Sequence, residues 1–148
     1  MELKNGERID DLQLNGLKII QNEKGFCFGI DAVLLSDFAK NMKKADKIID
    51  LCSGNGVIAL LLTEKIRNFK NIYEVEVQEE VAEMAKRSIE LNKLEEKITV
   101  INKNLKDLKE EFESGTIDAI TVNPPYKAKG SGIINEENAL TIARHEVL

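Results

Sequence analysis

The spacing of apolar residues changes repeatedly along the chain, which predicts strands that alternate with helices. An apolar run at residues 48–51 leads into a turn of small residues at 52–56, and a second apolar run begins at Val57 without a breaker. A short apolar run, a glycine-containing turn and a renewed run are typical of a strand, a tight turn and a helix. We therefore expect the centre of the molecule to be a strand–turn–helix unit.

The same order continues beyond that unit. Apolar patterns predict a helix at 57–66, a strand at 71–77, a helix at 79–91 and strands at 97–101 and 116–122. Strands that alternate with helices form parallel sheets with right-handed crossovers, and such sheets bind ligands beyond the carboxyl ends of their strands. The predicted fold is an α/β fold with a Rossmann-like parallel sheet.

The first thirty residues have a different pattern. Residues 12–14 and 17–21 alternate around Asn15-Gly16, which predicts a β-hairpin, and a second turn follows at 22–25. A helix with one apolar face is predicted at 32–39. Asp31 is a candidate N-cap for this helix, and a ligand contact is the alternative that stays open. We expect residues 1–30 to be a hairpin appendage to a domain of residues 31–148.

Composition narrows the protein class. The chain has 148 residues, of which 43% are hydrophobic and 32% charged, with a net charge of −5. This is the composition of one globular domain, and it has no apolar run of membrane-spanning length and no signal-peptide core. Cys27 and Cys52 are too few for a disulfide framework or a zinc site, so we expect a reducing cytoplasm and no metal. The negative charge argues against a general nucleic-acid coat protein but leaves room for local basic surface.

The central turn predicts a ligand site. The segment Asp50-Leu51-Cys52-Ser53-Gly54-Asn55-Gly56 matches neither the dinucleotide fingerprint nor the P-loop, so phosphate binding is not expected. Its glycines allow a flat polar ligand to approach the new helix closely. A purely structural turn is the alternative. Glu76, at the tip of the second strand of the sheet, is placed to grip two ribose hydroxyls, and Glu74 on the same face is its competitor.

A second candidate segment follows the fourth strand of the sheet and reads Asn123-Pro124-Pro125-Tyr126. Two prolines fix the backbone and leave carbonyls that only accept hydrogen bonds, while Asn123 adds an amide oxygen and Tyr126 an aromatic face. Acceptors that converge beside a flat ring suit an amino group attached to a base or an amide.

These segments resemble a known family. The turn from Asp50 to Gly56 resembles motif I of the class I S-adenosylmethionine-dependent methyltransferases, and the segment 123–126 resembles the catalytic motif of their amino-methylating branch. More narrowly, residues 28–35, 75–79 and 142–146 are similar to the bacterial tRNA1(Val) adenine-N6-methyltransferases. The resemblance covers nearly the whole chain and implies S-adenosylmethionine as cofactor and tRNA as partner.

The resemblance also implies roles for individual residues. The methionine part of the cofactor would contact Asp50, Cys52, Ser53, Gly54, Asn55 and Gly56. The ribose hydroxyls would contact Glu76, beside Val77, and the adenine amino group would contact Asn104, where an acid is usual in the family. Asn123 and Pro124 would accept hydrogen bonds from the substrate amino group, Tyr126 would stack on the base, and Pro125 would keep the corner rigid. Protein glutamine methylation, or a truncated cofactor-binding domain without activity, stays open as an alternative.

The end of the chain departs from the family, whose members continue with three more strands. This chain stops at Leu148, after a helix predicted at 136–146. The domain of residues 31–148 is thus expected to be a cofactor-binding methyltransferase domain that lacks the usual C-terminal strands. Its fourth strand would be an exposed sheet edge, which favours a homo-oligomer. His145, the only histidine, is interpreted as a surface or helix-end residue rather than a catalytic one.

Overall fold

The computed structural model describes residues 1–42 and 44–124. Its elements in chain order are β1 (Glu7–Asp11), β2 (Lys18–Asn22), α1 (Ile30–Ala39), β3 (Lys47–Leu51), α2 (Val57–Lys65), β4 (Asn71–Val75), α3 (Glu79–Leu91), β5 (Ile98–Ile101), the 3-10 helix Leu105–Glu110 and β6 (Ala119–Val122). The predictions for Pro125, Tyr126, His145 and the helix at 136–146 lie outside the described residues.

Strands β3 to β6 form one parallel sheet in the order β5-β4-β3-β6. The strand order changes direction at β3. From β3, the chain continues to β4 and β5 on one side, and β6, the last strand among the described residues, lies on the other side. This arrangement confirms the predicted α/β fold with a Rossmann-like parallel sheet. All four strands end at the same edge of the sheet, which is where ligands bind in such folds.

One face of the sheet carries the main core. Ile48, Ile72 and Ile98 lie side by side in register on the neighbouring strands β3, β4 and β5. They are buried in one cluster with the side chains of α2. Helix α2 is buried at every position from Val57 to Leu62, so it lies inside the fold rather than on its surface. Continuous burial explains why its sequence has no polar stripe.

Helix α3 is amphipathic and has the predicted bounds. Its buried positions are Ala82, Met84, Ala85, Ser88 and Ile89. Val81, an apolar residue of the same helix, is only partly buried. Ser88 is buried because its hydroxyl accepts the N–H of Ile20 at 2.9 Å.

The predicted hairpin is present, but its first strand begins earlier than expected. Strands β1 and β2 pair antiparallel from Glu7 opposite Asn22 to Asp11 opposite Lys18, and residues 12–17 form the connection. Gln13 adopts a left-handed φ of 55° and Asn15 one of 49°, which ends the extended backbone. The placement of a strand at 12–14 is therefore wrong, since its apolar residues pack on the core from within a loop.

The hairpin is attached to α3 by polar contacts. Arg87 donates to both carboxylate oxygens of Glu7, at 2.6 and 2.7 Å, and Arg87 also pairs with Glu83 on its own helix. Both side chains of the Arg87–Glu7 pair are mostly buried, with 12% and 4% exposed. Asn92 adds two bonds to the backbone of Lys18.

Two boundaries near the site differ from the prediction. Helix α1 begins at Ile30 with Gly29 as its N-cap, so Asp31 lies in the first turn and its prediction as the cap is wrong. The link from β5 to β6 contains a 3-10 helix, and β6 begins at Ala119 rather than at residue 116. Asp118 is the last residue of the link. Its carboxylate accepts the N–H groups of Asp46 and Lys47 at 3.0 Å, which attaches the end of the link to the start of β3.

Within the described part of the chain, β6 is an edge strand, and the side chains on one of its faces are exposed. Ile120 is 57% exposed and Val122 is 44% exposed. None of the helices in residues 1–42 and 44–124 is long and apolar enough to cross a membrane.

Candidate active site

A cavity of about 1010 Å³ opens at the carboxyl edge of the sheet. The segments that follow β3, β4, β5 and β6 all contribute to its wall, and so do the hairpin and the start of α1. The predicted site residues that line it are Cys52, Ser53, Gly54, Asn55, Glu76, Val77, Asn104, Asn123 and Pro124. Register explains the convergence, because Leu51 at the end of β3 pairs with both Val75 and Val122.

The turn at 52–56 is folded by left-handed residues. Cys52, Gly54 and Gly56 have φ values of 55°, 57° and 87°, and the Ser53 N–H donates to the carbonyl of Val75 at 3.0 Å. Burial raises the pKa of the Cys52 thiol, and the carboxyls of Glu76 and Asp50 raise it further. The thiol therefore stays protonated at neutral pH and is not an activated nucleophile.

Glu76 is a rigid acceptor on the cavity wall. One carboxylate oxygen accepts the N–H of Gly54 at 2.8 Å, and the other accepts the N–H of Gln78 at 3.0 Å. A carboxylate has about four acceptor positions, so two remain for a ligand with a pair of hydroxyls.

Asp50 and Glu74 do not reach the cavity. They lie opposite each other in register on β3 and β4, and both are wholly buried. Burial raises the pKa of Asp50 to about 7, an effect that the hydroxyl of Thr121, donating at 2.7 Å, partly offsets. Burial and the charges of Asp50 and Glu76 raise the pKa of Glu74 well above its usual value. Of Glu74 and Glu76, the two candidates for the ribose contact, only Glu76 lines the cavity.

Ser53 lines the cavity and carries an unsatisfied polar atom buried in its wall. Its hydroxyl oxygen is buried and has no hydrogen-bond partner among the described residues. Buried polar atoms in folded proteins are almost always paired, so a lone one at a cavity wall is suited to a ligand group.

Gln21 is a residue that the sequence interpretation missed. It is buried in β2, and its side-chain oxygen accepts from the amide of Asn55 at 3.0 Å and from the N–H of Phe28 at 3.1 Å. Its amide donates to Asp10. Gln21 thus joins the hairpin, the loop after it and the turn at 52–56. No local pattern could reveal this, because Gln21 and Asn55 are far apart in sequence.

The exit of β5 carries two asparagines with different tasks. Asn104 caps the 3-10 helix, its side-chain oxygen accepting the N–H of Lys106 at 3.0 Å. One lone pair of that oxygen remains for a ligand. Asn102, also missed, donates to the carbonyls of Glu76 and Val77 at 2.9 and 3.1 Å and so holds the ends of β4 and β5 together.

Asn123 and Pro124, which follow β6, line the same cavity as Glu76. The side-chain amide of Asn123 donates to the carboxylate of Asp31 at 3.0 Å. With its NH₂ group directed at Asp31, the amide oxygen is left free of that contact. The structure thus assigns Asp31 a contact in the cavity wall instead of the helix cap.

The match to a known family covers most of the chain, as residues 28–144 match the methyltransferase small domain family. The tRNA1(Val) (adenine(37)-N6)-methyltransferase of Haemophilus influenzae is 30% identical over 122 residues, which are 82% of this chain and 52% of that protein. The enzyme of the same name from Aeromonas hydrophila is 30% identical over 79% of this chain and 47% of its own length. The chain therefore spans about half the length of these relatives.

Solved structures agree in fold. A SAM-dependent methyltransferase from Agrobacterium tumefaciens aligns with a TM-score of 0.61 and 21% identity over 84% of this chain and 41% of its own length. The family suggested by the sequence motifs is confirmed, and the protein belongs to the S-adenosylmethionine-dependent methyltransferases of the methyltransferase small domain family.

Proposed function

We propose that this protein takes part in transferring a methyl group from S-adenosylmethionine to an exocyclic amino group, namely N6 of an adenine in tRNA. The observation that carries the proposal is the pairing of Asn123 with Asp31 on the wall of the cavity that also contains Glu76 and the turn at 52–56. One cavity thus contains hydrogen-bond acceptors for an amino group, at Asn123, and hydrogen-bond acceptors for ribose hydroxyls, at Glu76.

The cavity residues fit the cofactor. The unpartnered hydroxyl of Ser53 is available to the amino-acid end, the spare acceptor positions of Glu76 to the ribose hydroxyls, and the remaining lone pair of Asn104 to the adenine amino group. Asp50 does not line the cavity. Its carboxylate accepts the hydroxyl of Thr121 and so links β3, the strand before the turn, to β6. When bound, the cofactor supplies an electrophilic methyl group on a positively charged sulfur.

The acceptor side must raise the reactivity of a poor nucleophile. The lone pair of an adenine amino group is delocalised into the ring, and acceptors on its hydrogens favour the pyramidal nitrogen that can attack. The oxygen of Asn123 and the carbonyl of Pro124 serve as these acceptors in the proposal. Asp31 holds the amide of Asn123 in the required orientation. Tyr126, outside the described residues, keeps its predicted stacking role.

RNA as the substrate is supported by the names of the relatives and by the cavity rim. Lys4, Lys24, Lys103 and Lys106 line the rim. Lys4 and Lys103 form exposed ion pairs with Glu83 and Glu111, which a phosphate group can replace at little cost. Lysines around a cavity that accepts a base are suited to the flanking phosphates. A base in a tRNA loop also avoids most of the cost of leaving a duplex.

The experiment is transfer of labelled methyl from S-adenosylmethionine to unmodified tRNA, followed by nucleoside analysis. We expect N6-methyladenosine with the wild type, a loss of at least about a hundredfold with Asn123→Ala, and little change with Asn41→Ala, an exposed asparagine after α1. Label in protein but not in RNA would instead select glutamine methylation. Cofactor binding without transfer to either would select a cofactor-binding domain without activity.

Assembly and location complete the proposal. Among the described residues no strand pairs with the outer edge of β6, and this supports self-association through that strand, since unpaired edge groups act as a template for another strand. Sedimentation at several concentrations tests this, and a concentration-independent monomer would reject it. A tRNA substrate places the proposed activity in the cytoplasm.

A further inference from the structure

Glu74 has surroundings that its strand neighbours do not share. Its side chain is wholly buried, and neither carboxyl oxygen has a hydrogen-bond partner among the described residues. A buried carboxylate without partners is so costly that the group takes up a proton instead. Burial therefore favours the protonated form of Glu74, whereas each carboxyl oxygen of Glu76 accepts a backbone N–H.

Glu74 also supports the turn from below. A Cβ added to Gly56 would lie 2.7 and 2.8 Å from the two carboxyl oxygens of Glu74, so the carboxyl is packed directly against the backbone of the turn. Gly56 is the N-cap of α2, and the residues just before it line the cavity. A movement of this carboxyl is thus transmitted to the turn without an intermediate side chain.

The charged surroundings of Glu74 are all acidic. Asp50 lies opposite on β3, on a strand whose backbone is roughly 4.8 Å away, and its Oδ2 is also buried without a hydrogen-bond partner in residues 1–42 and 44–124. Glu76 lies two residues further along its own chain. On the other side, β5 presents Val100, which is apolar. A proton on Glu74 would give Asp50 Oδ2 the donor that it lacks.

We infer that Glu74 is a positioning residue for cofactor binding, which holds the turn at 52–56 as a protonated acid and displaces that turn when the proton is lost. The burial that raises the pKa of both acids agrees with this assignment. The inference rests on the proposed cofactor but not on the proposed tRNA substrate. Cofactor affinity should therefore fall as the pH rises through the raised pKa of Glu74, even though neither acid of the pair lines the cavity.

The test measures binding of S-adenosylhomocysteine by calorimetry from about pH 7 to about pH 9. One linked proton changes affinity by up to about tenfold per pH unit, so we expect the wild type to lose at least about threefold over this range. Glu74→Gln keeps the size of the side chain but cannot ionise, so only the titration of Asp50 remains in it, and its loss of affinity should be clearly smaller than that of the wild type. Glu90→Gln, on the exposed face of α3, should follow the wild type. Titration of the ligand itself is the same in all three proteins.

Each outcome decides the inference. A profile in Glu74→Gln that equals the wild-type profile would overturn it while leaving the cofactor assignment intact. Absence of binding at every pH would reject the cofactor and the positioning role together. If Glu74→Gln does not fold, a ¹³C carboxyl titration of the wild type replaces it, and one Glu carboxyl that titrates well above the ordinary range of glutamates is expected. Ordinary titration of every Glu near pH 4 to 5 would overturn the inference.

Discussion

Gly56 and Gly54 offer a matched pair of substitutions within one turn. Both have left-handed φ values, so alanine at either position carries a backbone penalty of about 1 kcal/mol. At Gly54 a new Cβ would meet nothing within 4 Å, whereas at Gly56 it would meet the carboxyl of Glu74 at 2.7 Å. Displacing a buried group in a packed core costs about 1 to 3 kcal/mol more. We expect Gly54→Ala to cost about 1 kcal/mol and Gly56→Ala about 2 to 4 kcal/mol.

Urea unfolding followed by circular dichroism measures both losses, with the midpoints compared at equal slope. A double-mutant cycle then locates the extra cost. In a Glu74→Ala background the carboxyl is gone, so Gly56→Ala should cost no more than Gly54→Ala does in the wild type. Equal losses for the two single variants, or an extra cost that persists after Glu74 is truncated, would refute the claim that this carboxyl supports the turn.

Three further predictions concern the contacts around the cavity. Replacing Arg87 by Met leaves Glu7 buried without its partner and should lower the free energy of unfolding by about 2 to 4 kcal/mol. Because Arg87 lowers the pKa of Glu7, this contribution is present above about pH 4.5 and is lost as the pH falls through the lowered pKa, so urea titrations of wild type and variant should converge in acid. Asp31→Ala should reduce methyl transfer by about tenfold without changing cofactor affinity, since it only frees the amide of Asn123, and Asp31→Asn should retain more activity. Gln21→Ala should weaken S-adenosylhomocysteine binding by about threefold to tenfold through the turn that it holds, and an unchanged affinity in calorimetry would contradict this.

The fold was predictable where one period dominated a segment. The bounds of α3 follow from its polar and apolar faces, and α2 follows from an unbroken apolar run. The first hairpin strand was not predictable in this way, because Leu12 and Leu14 alternate like a strand yet belong to a loop that packs on the core. An alternating apolar pattern shows only that two side chains point in the same direction. Two residues of a loop can also point in the same direction when the residue between them has a left-handed φ.

The candidate site was predictable as a set of segments but not as a set of contacts. Strand periodicity places Glu74 and Glu76 on the same face, so it cannot separate them. The separation comes from the end of β4 at Val75: Glu74 stays within the sheet beneath α2, and Glu76 leaves it for the cavity wall. A sequence pattern does not show at which residue the sheet ends, because that depends on pairing with the neighbouring strands.

The contribution of the hairpin shows why long-range contacts escape such an interpretation. The division into residues 1–30 and 31–148 stays a prediction, yet the hairpin is joined to α3 through Glu7 and to the turn at 52–56 through Gln21. Both contacts pair residues more than thirty positions apart, and each buries polar groups that need their partner. The wall of the cavity on this side therefore exists only when both parts of the chain are folded together. Polar residues in an otherwise unremarkable strand, rather than the glycine-rich turn itself, set the position of that turn relative to the hairpin.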